Sequence, residues 1–222
     1  NKLKKKRIIV ISHLLNEKRL NKKDFYFGNL GKILKKNKIS HQFLLINHTK
    51  KNSIYLNNKI KISNNIVIDD YLNFLMEINI FILQIKELFL IFLRIRIIGY
   101  SNLKEILFSL FSSQTKNSIR LYFLMNKYLE KINPKFLIST YEGFPWERQV
   151  FKATKDFDKN IKTIGYQNIF LTSNYKSIFL SLKDGFDPDR IWVPGEFPKH
   201  LFEKSELKNK KIYIVGKLKN DK

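Results

Sequence analysis

Short apolar runs recur along the chain of 222 residues, and segments with helical spacing of apolar residues separate most of them. Runs of this kind indicate strands that are buried on both faces, as the strands of parallel sheets are. Strands that alternate with helices are typical of a doubly wound parallel sheet. The predicted strands comprise residues 8–11, 43–46, 66–68, 136–138, 163–166, 191–193 and 211–215. We therefore predict an α/β protein with a mainly parallel sheet and helices on both of its faces.

Residues 72–111 form the most apolar region of the chain, yet charged side chains such as Lys86, Arg94 and Arg96 interrupt it. Charges at this density argue against a membrane-spanning helix. We predict instead two long helices that are broken near residues 99–102. Packing between helices is the favoured role of their apolar faces. The alternative is that one of them rests on an anionic membrane surface, with its basic side chains near the headgroups.

Helical spacing of apolar residues also occurs outside this region. A helix is predicted from Asp24, which would act as its N-cap, and Gly28 and Gly31 would lie inside it. The Asn-rich segment 50–65 predicts a loop or a small hairpin. Further helices are predicted over residues 118–132, 146–155 and 198–204.

The composition limits the partners of the chain. The formal net charge is +23, but only 7 of the 42 basic residues are arginine, the residue that makes bidentate contacts with bases and phosphates. The lysines are spread along the chain and Ala153 is the only alanine, which is the composition expected of an AT-rich bacterial genome. We therefore predict no nucleic-acid partner. The charge would still draw the protein towards anionic lipid or a phosphorylated ligand.

The chain has no cysteine, which excludes disulfides, zinc fingers and thiol nucleophiles. Its four histidines are far apart and lack ligand spacing, so no metal site is predicted. No secretory signal is visible, and a cytoplasmic location is expected. Because the chain begins with Asn and ends soon after a strand-like run, we expect it to be part of a longer protein.

Residues 136–148 combine a predicted buried strand with polar residues at its carboxyl end. Glu142 follows the strand, Gly143 suits a turn, and Pro145 suits the first turn of a helix. In open α/β sheets ligands bind at this carboxyl rim. Glu142 is therefore interpreted either as a group that contacts a ligand or as a carboxylate that caps the following helix.

Three sequence phrases follow one another along the second half of the chain, at residues 140–148 (TYEGFPWER), 164–168 (IGYQN) and 187–196 (DPDRIWVPGE). Together they resemble bacterial surface-carbohydrate biosynthesis proteins with the two-domain, Rossmann-like glycosyltransferase architecture known as GT-B. The resemblance covers roughly residues 136–215 well and the first half of the chain in outline. Asn168 stands where the pattern of that group has histidine.

The resemblance implies a Rossmann-like acceptor-side domain over residues 1–208, with a helical segment at about 70–132, and the start of a donor-side domain at 209–222. It implies a glycosyltransferase of cell-surface polysaccharide or lipopolysaccharide assembly that transfers a sugar from a nucleotide sugar to a glycan or a lipid-linked acceptor. The nucleotide sugar is a substrate, and no cofactor is expected. Such an enzyme would work at the cytoplasmic face of the membrane, in peripheral contact with anionic lipid, and this part of it would be inactive alone.

Glycosyl transfer needs a base that takes the proton of the acceptor hydroxyl. Glu142 is the first candidate and His13, at the end of another predicted strand, is the second; both are expected to share a cleft with Gln167. Glu147, in the first turn of a helix, is interpreted as structural. The predicted substrate-binding residues are Tyr141, Trp146, Arg148, Tyr166, Gln167, Asn168, Gly195 and Glu196.

Other roles remain open for some of these residues and for the whole chain. For Arg148 the alternative is an ion pair with a glutamate, and for the three aromatic residues it is packing in the core. The alternative functions are a non-catalytic α/β module that binds carbohydrate or a membrane surface and, less favoured, a nucleic-acid-binding protein that uses its charge.

Overall fold

The computed structural model describes residues 7–94, 100–169, 176–182 and 184–218. Its centre is one sheet of seven strands in which every pair of neighbours runs parallel. The order across the sheet, numbering the strands along the chain, is β3-β2-β1-β4-β5-β6-β7, which is that of a Rossmann-like fold. The strands are β1 Ile8–Leu14, β2 His41–Asn47, β3 Asn65–Val67, β4 Phe136–Thr140, β5 Lys162–Tyr166, β6 Arg190–Val193 and β7 Lys211–Ile214. The predicted α/β class is confirmed, and each predicted run contributes a strand.

Helices connect the strands. They are α1 Leu30–Lys36, α2 Ser53–Lys59, α3 Phe74–Leu93, α4 Tyr100–Leu110, α5 Ser113–Ile132, α6 Pro145–Phe157 and α7 Glu196–Glu203, with short 3₁₀ turns at Glu17–Arg19 and Lys176–Phe179. Most of the helices begin at a residue whose side chain or backbone suits a helix start. Asn73 accepts a hydrogen bond from the Met76 backbone N–H at 2.9 Å before α3, and Ser112 accepts one from Thr115 at 3.1 Å before α5.

Two apolar cores cover the two faces of the sheet, because successive side chains of a strand point to opposite faces. Ile9 and Ile11 of β1 belong to the core that α5, α6 and α7 cover. Val10 belongs to the core on the other face, together with Leu34 of α1 and Leu56 of α2. The sheet is therefore buried on both sides, which explains why its strands read as continuous apolar runs.

Two local predictions are wrong. Asp24 does not cap a helix: its Oδ1 accepts hydrogen bonds from the backbone N–H groups of Tyr26 and Phe27 at 2.9 and 2.7 Å within a turn, and α1 begins only at Leu30. Gly28 belongs to this turn, with a φ of 49°, rather than to the helix. The segment predicted as a loop or hairpin contains α2, whose start is fixed by the side chain of Asn52.

The apolar region before α5 is helical, as predicted, and consists of α3 and α4. Of the predicted break near residues 99–102, residues 100–102 belong to α4, and residue 99 lies outside the described part of the chain. Gln84 of α3 donates a hydrogen bond to the carbonyl of Leu110 at 2.7 Å, which ties α3 to the end of α4. Among the described residues, no helix has both the length and the apolar character needed to cross a membrane.

The position of the last strand differs from the one that the predicted division into domains gave it. β7 pairs in parallel with β6, with Ile191 opposite Ile212, so it is the edge strand of the same sheet. It does not open a separate domain, because its ladder hydrogen bonds are made to the first sheet. A donor-side domain beyond this strand stays a prediction.

Candidate functional site

The direction of strand addition reverses at β1, because β2 lies on one side of it and β4 on the other. In open α/β sheets a crevice forms outside the carboxyl ends of the strands at such a switch point, and ligands bind there. His13 lies near the carboxyl end of β1, and Glu142 follows the end of β4. The sheet therefore places both candidates for the base at this rim, on adjacent strands.

His13 forms a hydrogen-bonded pair with His48, which follows the end of β2. His13 Nδ1 lies 2.7 Å from His48 Nε2, so one ring donates and the other accepts, and a single proton serves both nitrogens. Burial, and then the neighbouring His48, lower the pKa of His13 to about 4, and burial also lowers the pKa of His48. Both imidazoles are therefore neutral at pH 7, and the lowered pKa makes His13 a weaker base than a free imidazole.

Aromatic side chains enclose His13. The Trp146 ring meets the imidazole edge-on at a centroid distance of 4.8 Å, and the Tyr26 ring lies 5.2 Å away. Burial and the negative charge of Glu142 raise the pKa of Tyr26, so the Glu142 carboxylate lies close enough to act on this phenol. Tyr26 therefore lies near both His13 and Glu142.

A cavity of about 530 Å³ opens beside the histidine pair. It lies between the carboxyl ends of β1 and β2 on one side and the first half of α5 on the other. Polar groups, aromatic rings and a few aliphatic side chains share its wall. The residues that line it include His13, Asn47, His48, Asp70, Gln114, Asn117 and Trp146.

The charged side chains in this wall form ion pairs or hydrogen bonds within the protein. Arg120 makes a bidentate pair with Glu77, with nitrogen–oxygen distances of 2.6 and 2.9 Å. Asp70 accepts hydrogen bonds from the Asn47 side chain at 2.9 Å and from the Ser53 backbone at 2.5 Å. The wall is therefore held in place, and it offers amides, imidazoles and an indole to a ligand.

Glu142 is half-buried, and its carboxylate is only partly satisfied. Its Oε1 is buried and has no hydrogen-bond partner among the residues that the structure describes. Burial raises the pKa of its carboxyl above the usual range. Arg148 pairs elsewhere, so the carboxylate is not held in an ion pair with that residue. Glu142 is not among the residues that line the cavity, and neither is Gln167, so this cavity is not the cleft that the three residues were predicted to share.

Glu147, by contrast, is fully buried and closes the loop between β4 and α6. Its Oε2 accepts hydrogen bonds from the backbone N–H groups of Glu142, Gly143 and Phe144 at 2.8–3.0 Å. Its Oε1 accepts one from the Thr140 hydroxyl at 3.1 Å. Burial raises its pKa to about 8, while these donors act in the opposite direction. The contacts agree with the structural interpretation of Glu147, and the caps on this loop come from Glu147 rather than from Glu142.

Arg148 is buried and forms an ion pair with Asp187. Its other terminal nitrogen donates to the carbonyls of Ser177 and Leu180 at 3.0 and 2.9 Å. These acceptors use its donors inside the protein, and the side chain joins α6 to the segment before β6. The predicted substrate-binding role of Arg148 is therefore corrected to an ion pair, whose carboxylate is that of Asp187 and not of a glutamate.

Tyr141 and Tyr166 are fully buried, which corrects the prediction that they stack on a sugar. The Tyr141 ring stacks on Phe202 with centroids 6.2 Å apart, and its hydroxyl donates to the Ile178 carbonyl at 3.3 Å. The Tyr166 hydroxyl accepts a hydrogen bond from the Leu218 backbone at 3.0 Å. Of the three aromatic candidates only Trp146 reaches a cavity.

The remaining predicted residues lie at the same rim with different surroundings. Gln167 is buried; its amide donates to the Ile169 carbonyl, while its Oε1 has no partner among the described residues. Asn168 is half-buried. Gly195 begins α7 with open space beside its Cα, and the Glu196 side chain is 80% exposed, 3.7 Å from Lys199. The structure brings Gly195 and Glu196 into no described cavity with His13 or Trp146.

The sequence reasoning missed His48, Tyr26 and the polar residues of α5. A signal for His48 was present, because each of the two histidines comes at the carboxyl end of an apolar run, and the two runs form neighbouring parallel strands. Tyr26 and Asn117 could not have been found this way, since only the packing of a turn and of a helix brings them to the rim.

In the described part of the chain, no group of three or more His, Asp or Glu side chains has the geometry of a metal site. No family model matches the sequence, and no curated protein matches it at a significant level. The fold and the geometry of the rim are therefore the features from which a function can be inferred.

Proposed function

We propose that the protein binds a glycan or a lipid-linked acceptor as part of a glycosyltransferase of cell-surface polysaccharide assembly, at the cytoplasmic face of the membrane. The observation that carries this proposal is the Glu142 carboxylate, which lies at the switch point of a Rossmann-like sheet and has one buried oxygen that no described residue pairs with. An unpaired acceptor oxygen of this kind favours a ligand that brings a donor, and sugar hydroxyls are such donors.

The transfer step needs one base and one leaving group. The base takes the proton of the acceptor hydroxyl while the hydroxyl oxygen bonds to the anomeric carbon of the donor sugar. The bond from that carbon to the nucleotide phosphate breaks, and the nucleotide leaves with the electron pair. Glu142 remains the first candidate for the base, because the raised pKa of its carboxyl moves towards working pH, which improves a general base.

His13 is the second candidate, and the cavity gives it weight. It is neutral at pH 7 and it lines the cavity directly. Its hydrogen bond to His48 fixes the orientation of the ring, as the partner of a catalytic histidine does. The cavity itself suits a sugar, since Trp146 offers an aromatic surface, Gln114 an amide that can donate and accept, and Asn117 an amide nitrogen that can donate.

Acceptor binding is tested on the chain itself by titration with free and lipid-linked oligosaccharides. We expect Trp146→Ala to weaken binding at least tenfold and Glu142→Gln to leave it unchanged. The matched control is Glu130→Gln, because Glu130 is an exposed glutamate on α5. Failure of every oligosaccharide to bind, or binding that Trp146→Ala leaves intact, would contradict the proposed acceptor site.

Transfer is tested with the whole protein that contains this chain, using a panel of nucleotide sugars and measuring nucleotide release. Glu142→Gln keeps the size of the side chain and removes its basicity, so we expect transfer to fall about a hundredfold or more, the usual effect of losing a general base. Full transfer by Glu142→Gln together with loss in His13→Gln would assign the base to His13. Acceptor binding without any transfer would favour the non-catalytic module.

A further inference from the structure

The longest apolar surface of the described chain lies on α3 and is exposed. Ten of its large apolar side chains are between 38% and 77% accessible to solvent, and nine of them, all but Leu83, lie on one side of the helix. At 3.6 residues per turn they fall within an arc of about 120° around the helix axis, and they run along the whole helix of about 30 Å. We call these residues the α3 stripe: Phe74, Leu75, Ile78, Phe81, Ile82, Ile85, Phe89, Phe92 and Leu93.

The opposite side of α3 is the one that packs against the protein. Ile80 and Gln84 are buried there, and Glu77 pairs with Arg120 of α5. One face of α3 is therefore packed against the protein, and none of the described residues covers the face that carries the α3 stripe. A contiguous exposed apolar surface of this size on a folded protein marks an interaction site.

We propose that the α3 stripe docks on an anionic lipid membrane surface. Charge is the reason for choosing lipid: the chain has a formal net charge of +23, which an anionic bilayer attracts. Lys86 is exposed on α3 beside the stripe and reaches headgroup level when the stripe enters the interface. The carboxylate of Glu77, on the packed side of α3, is neutralised by Arg120 at 2.6 Å and Lys116 at 3.7 Å.

A second copy of the chain is the main competing occupant. Two copies that met through the α3 stripe would bring two charges of +23 together, which opposes association at ordinary ionic strength. An anionic bilayer meets the same stripe with attraction instead of repulsion. Membrane docking does not require glycosyl transfer, so its test is independent of the function proposed above.

The test is co-sedimentation of the purified chain with vesicles of phosphatidylcholine alone or with one quarter phosphatidylglycerol. We expect binding at least tenfold tighter to the anionic vesicles. Phe81→Ser combined with Phe89→Ser should weaken binding at least tenfold, because both rings are exposed and their loss leaves the packed side of α3 intact. The matched control is Ile54→Ser, which removes an apolar side chain, 72% exposed, from α2.

The salt concentration separates the electrostatic contribution to vesicle binding from the apolar contribution. Raising NaCl from about 0.1 M to about 1 M shortens the screening length from about 10 to about 3 Å, so it should weaken the initial attraction while the apolar contact persists in part. Absence of vesicle binding, or binding that the double variant retains in full, would overturn the proposal. Dimers in solution that the double variant dissolves would assign the stripe to a second copy and would also overturn it.

Discussion

Two neighbouring regions of the carboxyl rim differ in whether their buried polar groups have hydrogen-bond partners. In the corner between β4 and α6, Glu147 has four hydrogen-bond donors and Arg148 has three acceptors, all from the protein. At the open rim, Glu142 and Gln167 each keep a buried oxygen without a partner among the described residues. We refer to these regions as the closed corner and the open rim.

The difference separates structural from functional candidates among residues that look alike in the sequence. A buried charge that the protein satisfies completely is held in one place and has nothing left to offer a ligand. A buried acceptor that the protein leaves unpaired costs stability, and such groups call for an explanation. Glu142 and Glu147 are five positions apart in one sequence phrase, and only their partners show which of them is available to a ligand.

The largest effect is expected when a partner is removed from the closed corner. Arg148→Ala leaves the carboxylate of Asp187 buried without its cation, which should lower the free energy of unfolding by about 3–5 kcal/mol. Urea denaturation followed by circular dichroism measures this change.

Arg19→Ala is the control for Arg148→Ala. Arg19 is exposed, and its guanidinium lies 4.8 Å from the centre of the Phe25 ring, a contact worth about 1 kcal/mol or less. Equal losses in the two variants would mean that the ion pair between Arg148 and Asp187 does not hold the corner, and the comparison with the open rim would fail.

The sheet could be predicted from the sequence. The hydrogen-bond and ion-pair partners of its polar residues could not. Buried parallel strands read as apolar runs, so all seven were predicted. The helix α2 was missed because it has seven residues, of which only Ser53 and Leu56 are buried, too few for a visible period. The role of Arg148 was left open between two partners, because the segment that carries Asp187 is distant in sequence and meets α6 only in the folded chain.

The second largest effect that we expect is a pH dependence of the free energy of unfolding, which arises from the His13–His48 pair. The pKa of His13 is about 4 in the folded protein and about 6.5 in the unfolded chain, which therefore binds more protons between these values. Stability present above pH 6.5 is lost as the pH falls towards 4, by at most about 3 kcal/mol for this shift. Unfolding free energies measured from pH 7 to pH 4 should show a smaller slope in His13→Asn.

The control for this slope is His200→Asn, since His200 is exposed on α7. It should reproduce the slope of the unchanged protein, including the part that comes from carboxylates. A slope that His13→Asn leaves unaltered would mean that the pKa of His13 is not lowered in the folded protein, and the buried, neutral histidine pair would then be wrong.

The smallest effect on stability is expected at the open rim itself. Glu142→Gln removes a charge that burial disfavours and keeps the backbone N–H of residue 142, which is the group that Glu147 binds. Because none of the described residues donates a hydrogen bond to Glu142 Oε1, we expect the free energy of unfolding to change by about 0.5 kcal/mol or less. Thr140→Val is the matched variant of the closed corner: it removes the hydroxyl that donates to Glu147 and should cost about 1.5–3 kcal/mol. Both are measured by urea denaturation at pH 7. A loss in Glu142→Gln as large as that in Thr140→Val would show that Glu142 supports the loop after all, and its unpaired oxygen would then carry no argument for a ligand.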